Sequence, residues 1–218
     1  MENRKKNILI TGASAGFGYD AAKRLAERGH TVYATMRGVN GKNEEKAVSL
    51  NNWAKAGGFN LHVLELDVTD EGSVGIAVDK AVELGGIDVL INNAGYGSFG
   101  IDEGYSVGQA KSLFEVNLFG VMRLNRAVLP HFRRQGSGLI AYVSSGLGRL
   151  VIPFMGVYTA SKFALEAYAE NASYELAPLG IETVIIEPGA YGTTFLANIP
   201  QPAIDVSEGY GQVAAMFQ

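Results

Sequence analysis

Short, unbroken apolar runs alternate with longer amphipathic stretches along almost the whole chain. The runs are Asn7 to Thr11, Thr31 to Thr35, Leu61 to Leu66, Ile87 to Ile91, Leu139 to Val143 and Ile181 to Ile186. Each is too short for a typical helix and apolar on both faces, which predicts strands buried on both sides of a sheet. Between them the apolar positions recur every three or four residues. Ala21, Ala22, Leu25 and Ala26 predict a helix that stops at Gly29. Further helices are expected over Glu44 to Ala56, from Thr69 or Asp70 (either can cap it) to about Leu84, over Ala110 to Arg134, and from Tyr158 to about Ala177 before Pro178 and Gly180. On the longest of these, Leu113, Val116, Asn117, Val121, Leu124 and Val128 are the inward candidates. Strand and helix in strict alternation imply right-handed crossovers and a parallel, doubly wound sheet in a three-layer αβα domain, with ligands at the carboxyl ends of the strands. Residues 190–218, with Pro200, Pro202 and several glycines, predict only short helical pieces near 193–198 and 207–217.

Composition narrows the function classes. The 218 residues suit one domain, residues 1–218, and 47% hydrophobic with 18% charged is ordinary for a soluble globular protein. A net charge of −4 lacks the basic footprint of a nucleic-acid binder. The absence of cysteine removes disulfides and thiolate chemistry. His30, His62 and His131 stand far apart and show no metal-ligand spacing. The apolar run at the start, Ile8 to Ile10, is too short for a signal peptide, and no stretch is long enough to span a membrane. The expectation is a cytoplasmic protein with no membrane partner and no metal.

Candidate chemistry sits where the strands end. After the first strand comes Thr11-Gly-Ala-Ser-Ala-Gly-Phe-Gly18, then a helix. Glycines let the backbone turn sharply and approach a diphosphate, and the helix N-terminus offers it free N–H groups. The second strand ends at Met36-Arg37, where an acid would bind the ribose 2′-hydroxyl of NAD; arginine instead suits the 2′-phosphate of NADP. The fourth strand ends in Asn92-Asn-Ala-Gly95, whose small Ala94 and Gly95 would let a flat ring lie close. Tyr158 and Lys162 in Tyr-Thr-Ala-Ser-Lys fall one helical turn apart. A lysine cation at about 4 Å would favour the phenolate by several kcal/mol and bring a phenol of pKa about 10 toward neutrality, as a proton shuttle to an alcohol or carbonyl oxygen requires.

Taken together, TGASAGFG at 11–18, LDVT at 66–69, NNAG at 92–95, Asn117, Ser145, YTASK at 158–162 and EPG with the later Thr193 resemble the short-chain dehydrogenase/reductase family, in the family's order and over nearly the whole chain to about residue 195. The resemblance implies a Rossmann-type fold. It also implies interconversion of a ketone and a secondary alcohol by hydride transfer, with NADP(H) preferred and NAD(H) the alternative. Its catalytic residues would be Asn117, Ser145, Tyr158 and Lys162: Tyr158 as general acid/base, Lys162 lowering its pKa and holding the nicotinamide ribose, Ser145 bonding the substrate oxygen, Asn117 supporting a water that leads to Lys162. Gly12, Ser14, Gly16, Phe17 and Gly18 would hold the pyrophosphate, Arg37 the 2′-phosphate, Asp67 and Val68 the adenine, and Asn93, Ala94 and Gly95 the adenosine ribose and nearby ring. Ile186, Pro188, Gly189 and Thr193 would line the nicotinamide.

Family members usually continue into a lid and a seventh strand. Residues 190–218 correspond to the substrate-loop region and carry no such strand. Phe99, Leu147, Ile152, Phe154, Tyr191 and Phe195 are the apolar pocket candidates, which would favour an apolar ketone or alcohol, steroid-like or of medium chain length. A homodimer or homotetramer through the helices at 110–134 and 158–177 is implied by the resemblance alone. Two alternatives stand beside the main reading: an NADP-binding sensor with little turnover, and an acyl-carrier-protein ketoreductase docking at Arg133-Arg134.

Overall fold

The computed structural model describes residues 5–189 and 199–215. Among the described residues six parallel strands form one sheet in the order β3-β2-β1-β4-β5-β6. They are β1 Asn7–Ile10, β2 Thr31–Met36, β3 Leu61–Glu65, β4 Val89–Asn92, β5 Gly138–Val143 and β6 Ile181–Ile186. The chain winds outward from β1 to β3, returns to lay β4 beside β1, and winds outward again. The carboxyl ends of β1 and β4 therefore flank the point where the winding reverses, the usual ligand crevice of such sheets.

Side chains alternate across the sheet and separate two cores. Ile8, Ile10, Val32, Ala34 and Met36 pack against α1 (Gly16–Glu27) and α2 (Glu44–Gly57) through Ala22, Ala26, Leu50 and Ala54. Leu9, Tyr33, Leu90, Ile140 and Tyr142 face the other way. They meet α3 (Glu71–Gly85), α5 (Gly120–Gln135) and α6 (Gly156–Leu176) through Val78, Leu124, Val128, Phe132, Leu165 and Ala169. Each such Leu, Ile or Val contributes about 1.5–3 kcal/mol on burial.

The predicted elements recur with small shifts. The fourth strand starts two residues later than its apolar run: Ile87 N–H donates to His131 Nε2, while Asp88 bonds Asn7 and Leu139 through its backbone and accepts from Asn7 N–H with its carboxylate. Asp70 caps α3, accepting from Ser73 N–H at 2.7 Å. The long helix expected over 110–134 is α4 (Val107–Phe114) running into α5 through a π-helical turn, Glu115–Phe119. The three histidines act structurally or at the surface; His30 Nδ1 accepts from Lys6 N–H, and His62 contacts Asn60. Residues 199–215 lie along residues 99–109. Tyr105 OH donates to Pro200 O, Gln109 Nε2 to Gln201 O and Tyr210 OH to Glu103. A final short helix, α7, spans Gln212–Ala215. Among the described residues no helix is long and apolar enough to cross a membrane, and no cluster of three potential ligands could hold a metal.

Candidate active site

The glycine turn is shaped by close approaches that only glycine allows. Gly12 has φ +69°, and a Cβ there would lie 2.9 Å from Ala94 Cα. A Cβ on Gly18 would lie 2.5 Å from Asn93 Nδ2 and from Gly12 O. The turn is tied to β4 from the other side. Thr11 Oγ1 accepts from the N–H groups of Asn93 and Ala94, and Asn93 Nδ2 donates to Thr11 O and Gly12 O. Thr11 belongs to the expected motif, yet its side-chain role was not visible from spacing. Helix α1 begins at Gly16 with no side-chain cap and no acid in its first turn, beside half-buried Ser14 and exposed Phe17.

At the end of β2, Met36 is buried and Arg37 exposed. The nearby acid is Glu65, whose two oxygens accept from Gly38 N–H and Val39 N–H and hold the following loop. Burial acts to raise the Asp67 pKa, but bonds from Thr69 N–H and Oγ1, with the charges of Arg37 and Lys42, outweigh it and hold the carboxyl below the usual range. Lys42 is thus a second cation here, one that no motif in the sequence marks. Val68 is buried against Gly120. A dinucleotide fits this arrangement: a glycine cradle that a Cβ would fill, an uncapped helix start, two cations, and an acid fixed beside them.

The other half is made of buried side chains. Tyr158 and Lys162, on α6, are 5% exposed each. Tyr158 N–H donates to Ser98 Oγ, and its phenol is hydrogen-bonded to Ser145. Ser145 Oγ also accepts from Leu147 N–H, capping the 3-10 turn Gly146–Gly148. Asn117, on the π turn, is fully engaged. Its Oδ1 accepts from Tyr96 N–H, and its Nδ2 donates to Tyr96 O and Ser161 Oγ. A Cβ on Gly95 would lie 3.1 Å from Asn117 Oδ1 and 3.8 Å from Lys162 Nζ, so the smallness of Gly95 leaves space between those two groups. Pro188 O accepts from Gly146 N–H, and Gly189 follows it. Thr193, Tyr191 and Phe195 lie outside the described residues.

One expectation changes here. Lys162 Nζ donates to Val143 O at 2.9 Å and stands 5.8 Å from the centre of the Tyr158 ring. Burial pushes the Tyr158 phenol up, and the Ser145 bond only partly offsets this. Burial also pulls Lys162 down, to about 8, against the opposing charge of Glu166. The cost of desolvation exceeds the attraction in this state. The apolar candidates also divide. Phe99 and Phe154 meet edge-on at 6.4 Å, and Phe154 has φ +67°. Leu147 packs near Tyr158, and Ile152 is exposed. None of these lines the cavity of about 390 Å³ beside α4, which is bounded by Tyr96, Ser98, Tyr105, Gln109, Leu113 and Pro200.

The comparisons with known proteins agree with this geometry. Residues 6–203 match the short chain dehydrogenase family. The chain is 42% identical to the uncharacterized oxidoreductase YusZ of Bacillus subtilis over 193 residues, 87% of this chain and 66% of that protein. It is 41% identical to 3-ketodihydrosphingosine reductase of Bacteroides thetaiotaomicron over 192 residues, 88% of this chain and 66% of that protein. It therefore spans just under two thirds of the length of these relatives. Among solved structures, a gluconate 5-dehydrogenase from Burkholderia cenocepacia in complex with NADP and tartrate superposes with TM-score 0.80 at 30% identity, covering 89% of this chain and 74% of that one. A short-chain dehydrogenase/reductase from Burkholderia phymatum in complex with NAD superposes with TM-score 0.82 at 26% identity, covering 90% and 70%. In sequence and fold, the chain belongs to the short-chain dehydrogenase family.

Proposed function

We propose that this protein is an NAD(P)-dependent oxidoreductase that interconverts an apolar ketone and a secondary alcohol, with NADPH as its preferred coenzyme. The observation that carries the reading is the meeting of Ser145 and Tyr158 hydroxyls beside a buried lysine, next to a glycine cradle shaped for a diphosphate. The bound nicotinamide would supply or accept the hydride. Gly12, Gly16 and Gly18 would admit the pyrophosphate against the start of α1. Arg37, with Lys42, would meet the adenosine phosphate, and Asp67 and Val68 the adenine. Because the Asn93 N–H and Nδ2 are committed to the glycine turn, contact from that residue would fall to its Oδ1 or its carbonyl oxygen, beside Ala94 and Gly95. Pro188 and Gly189, with Thr193, would border the nicotinamide.

In this reading Ser145 and Tyr158 hold the substrate oxygen, and Tyr158 passes it a proton in reduction or takes one in oxidation. Lys162 keeps a positive charge beneath the phenol. Asn117 fixes the Tyr96 backbone and the Ser161 hydroxyl, and so the wall between Lys162 and Gly95. The exposed run Leu150, Val151 and Ile152 after the Ser145 turn favours an apolar substrate, as does the 3-ketodihydrosphingosine in the name of one relative. Exposed Phe119, Phe163 and Tyr174 on the long helices favour association of copies into a dimer or tetramer.

The test is to follow NADPH and NADH absorbance in parallel against a ketone panel that includes long-chain and steroid ketones. The expected result is oxidation of NADPH, fastest with apolar ketones. Tight NADPH binding with no oxidation across the panel would favour the sensor reading instead.

A further inference from the structure

On α6 the residues Tyr158, Lys162, Glu166 and Glu170 follow one another at single-turn spacing along one face. Glu166 is 2% exposed, an unusual place for a carboxylate unless it is paired. Its Oε2 lies 3.0 Å from Arg149 Nη2, yet neither oxygen has an aligned hydrogen bond among the described residues. The room for it comes from Gly148, where a Cβ would lie 2.7 Å from Glu166 Oε1 and 2.8 Å from Ser144 Oγ. Arg149 does not belong to Glu166 alone. The same guanidinium pairs with Glu170 at 2.5 Å and Glu187 at 3.0 Å. One cation shared by three carboxylates leaves negative charge uncompensated, and Lys162 is the cation one turn up the helix.

We propose that Glu166 is the counter-ion of Lys162, a positioning residue that keeps the buried ammonium charged, and that Arg149 limits how much of its charge reaches the lysine. This rests on the reading of Tyr158 and Lys162 given above. Of the other charged or titratable groups on elements packed against α6, Glu187 at the end of β6 is bound to Arg149 and Glu115 of the π turn is paired with Arg123. Tyr142 of β5 is bonded to Asn125, and Glu182 lies at the far end of β6. Tyr158 and Glu170 share the helix itself.

Glu166→Gln keeps the shape and removes the charge. The primary readout needs neither coenzyme nor turnover. The full chain carries lysine labelled with 13C at Cε, the Lys162 signal is assigned by its loss in Lys162→Arg, and NMR follows it from pH 6 to 10. In Glu166→Gln its midpoint is expected to fall by at least about one pH unit, since an opposite charge at helix-neighbour distance favours the protonated amine by that order. The alkaline limb of the kcat profile should move down with it, and Glu166→Asp should restore part of both shifts. An unchanged midpoint overturns the proposal. If Glu166→Gln does not fold, Arg149→Gln decides, because removing the competing cation should move the midpoint up; no movement, or a fall, overturns it. Full turnover in Tyr158→Phe would sink the proposed function but leave the lysine titration readable. Loss of turnover in Tyr158→Phe with a static lysine midpoint would sink only the counter-ion role.

Discussion

The two halves of the sheet's carboxyl edge are built from different materials. On the β1–β3 side the candidate site is mostly backbone: glycines at close approach, an uncapped helix start, and exposed cations over a fixed Asp67. On the β4–β6 side it is mostly buried side chain: Asn117 with its amide engaged, Ser145 bonded to Tyr158, and Lys162 over Glu166. The first half offers shape and surface charge, with the Asp67 carboxyl held low against its burial. The second half pays for its position with desolvation, and there the Tyr158 phenol rises while the Lys162 amine falls. Placing a polyanion calls for a preformed concavity, whereas moving a proton calls for groups held where their affinities can be tuned.

That contrast can be broken from either side. The largest effect expected is in Tyr158→Phe, which should lower turnover at least about a hundredfold, a usual size for a lost general acid. NADPH affinity should stay within a few-fold; single-turnover kinetics and a fluorescence titration separate the two. Next, Gly18→Ala forces a methyl group into Asn93 and the Gly12 carbonyl, so it should cost about 1–3 kcal/mol in urea unfolding and weaken NADPH binding about tenfold or more. A coenzyme affinity equal to wild type would show that the cradle is only structural. Arg37→Ala should raise the Kd for NADPH about tenfold while that for NADH changes little, as expected for a lost phosphate contact; equal effects on both would remove the 2′-phosphate role.

The smallest effect is a pH dependence of stability. The folded chain holds the Lys162 proton less tightly than the unfolded chain, about 8 against 10.5. Between those values the unfolded state binds more protons, so this group's contribution to stability rises with pH through that window. Compared with Lys162→Met, the wild type should therefore gain on the order of 1 kcal/mol between pH 8 and pH 9. Urea midpoints measured at both pH values check the sign.

Much of this was legible in the sequence. Alternating apolar runs and helical periods predicted all six strands and the helices around them, because a parallel sheet buried on both faces leaves that signature wherever it occurs. Glycine spacing marked the cradle, since a missing side chain is itself a sequence feature. What could not be read is what depends on contacts between distant residues. Glu65 looked like any strand-end acid, and only the fold shows it holding the loop at Gly38 and Val39. Asn117 could be picked out as polar among apolar residues, but not its two-way grip on Tyr96. The Tyr158–Lys162 spacing gave proximity without the balance between attraction and burial, and Arg149 with its three acids is brought together from three separate stretches of chain.

The wide turn at Glu115–Phe119 reconciles two surfaces that one regular helix could not serve together. It carries one residue more than an ordinary turn, which offsets the angular phase of everything after it. Before it, Leu113 points into the patch around Tyr158 and Met155; beyond it, Leu124, Val128 and Phe132 meet the sheet core. Deleting a single residue from this stretch would re-time the helix and turn one surface or the other away from its seat, even with every remaining side chain unchanged.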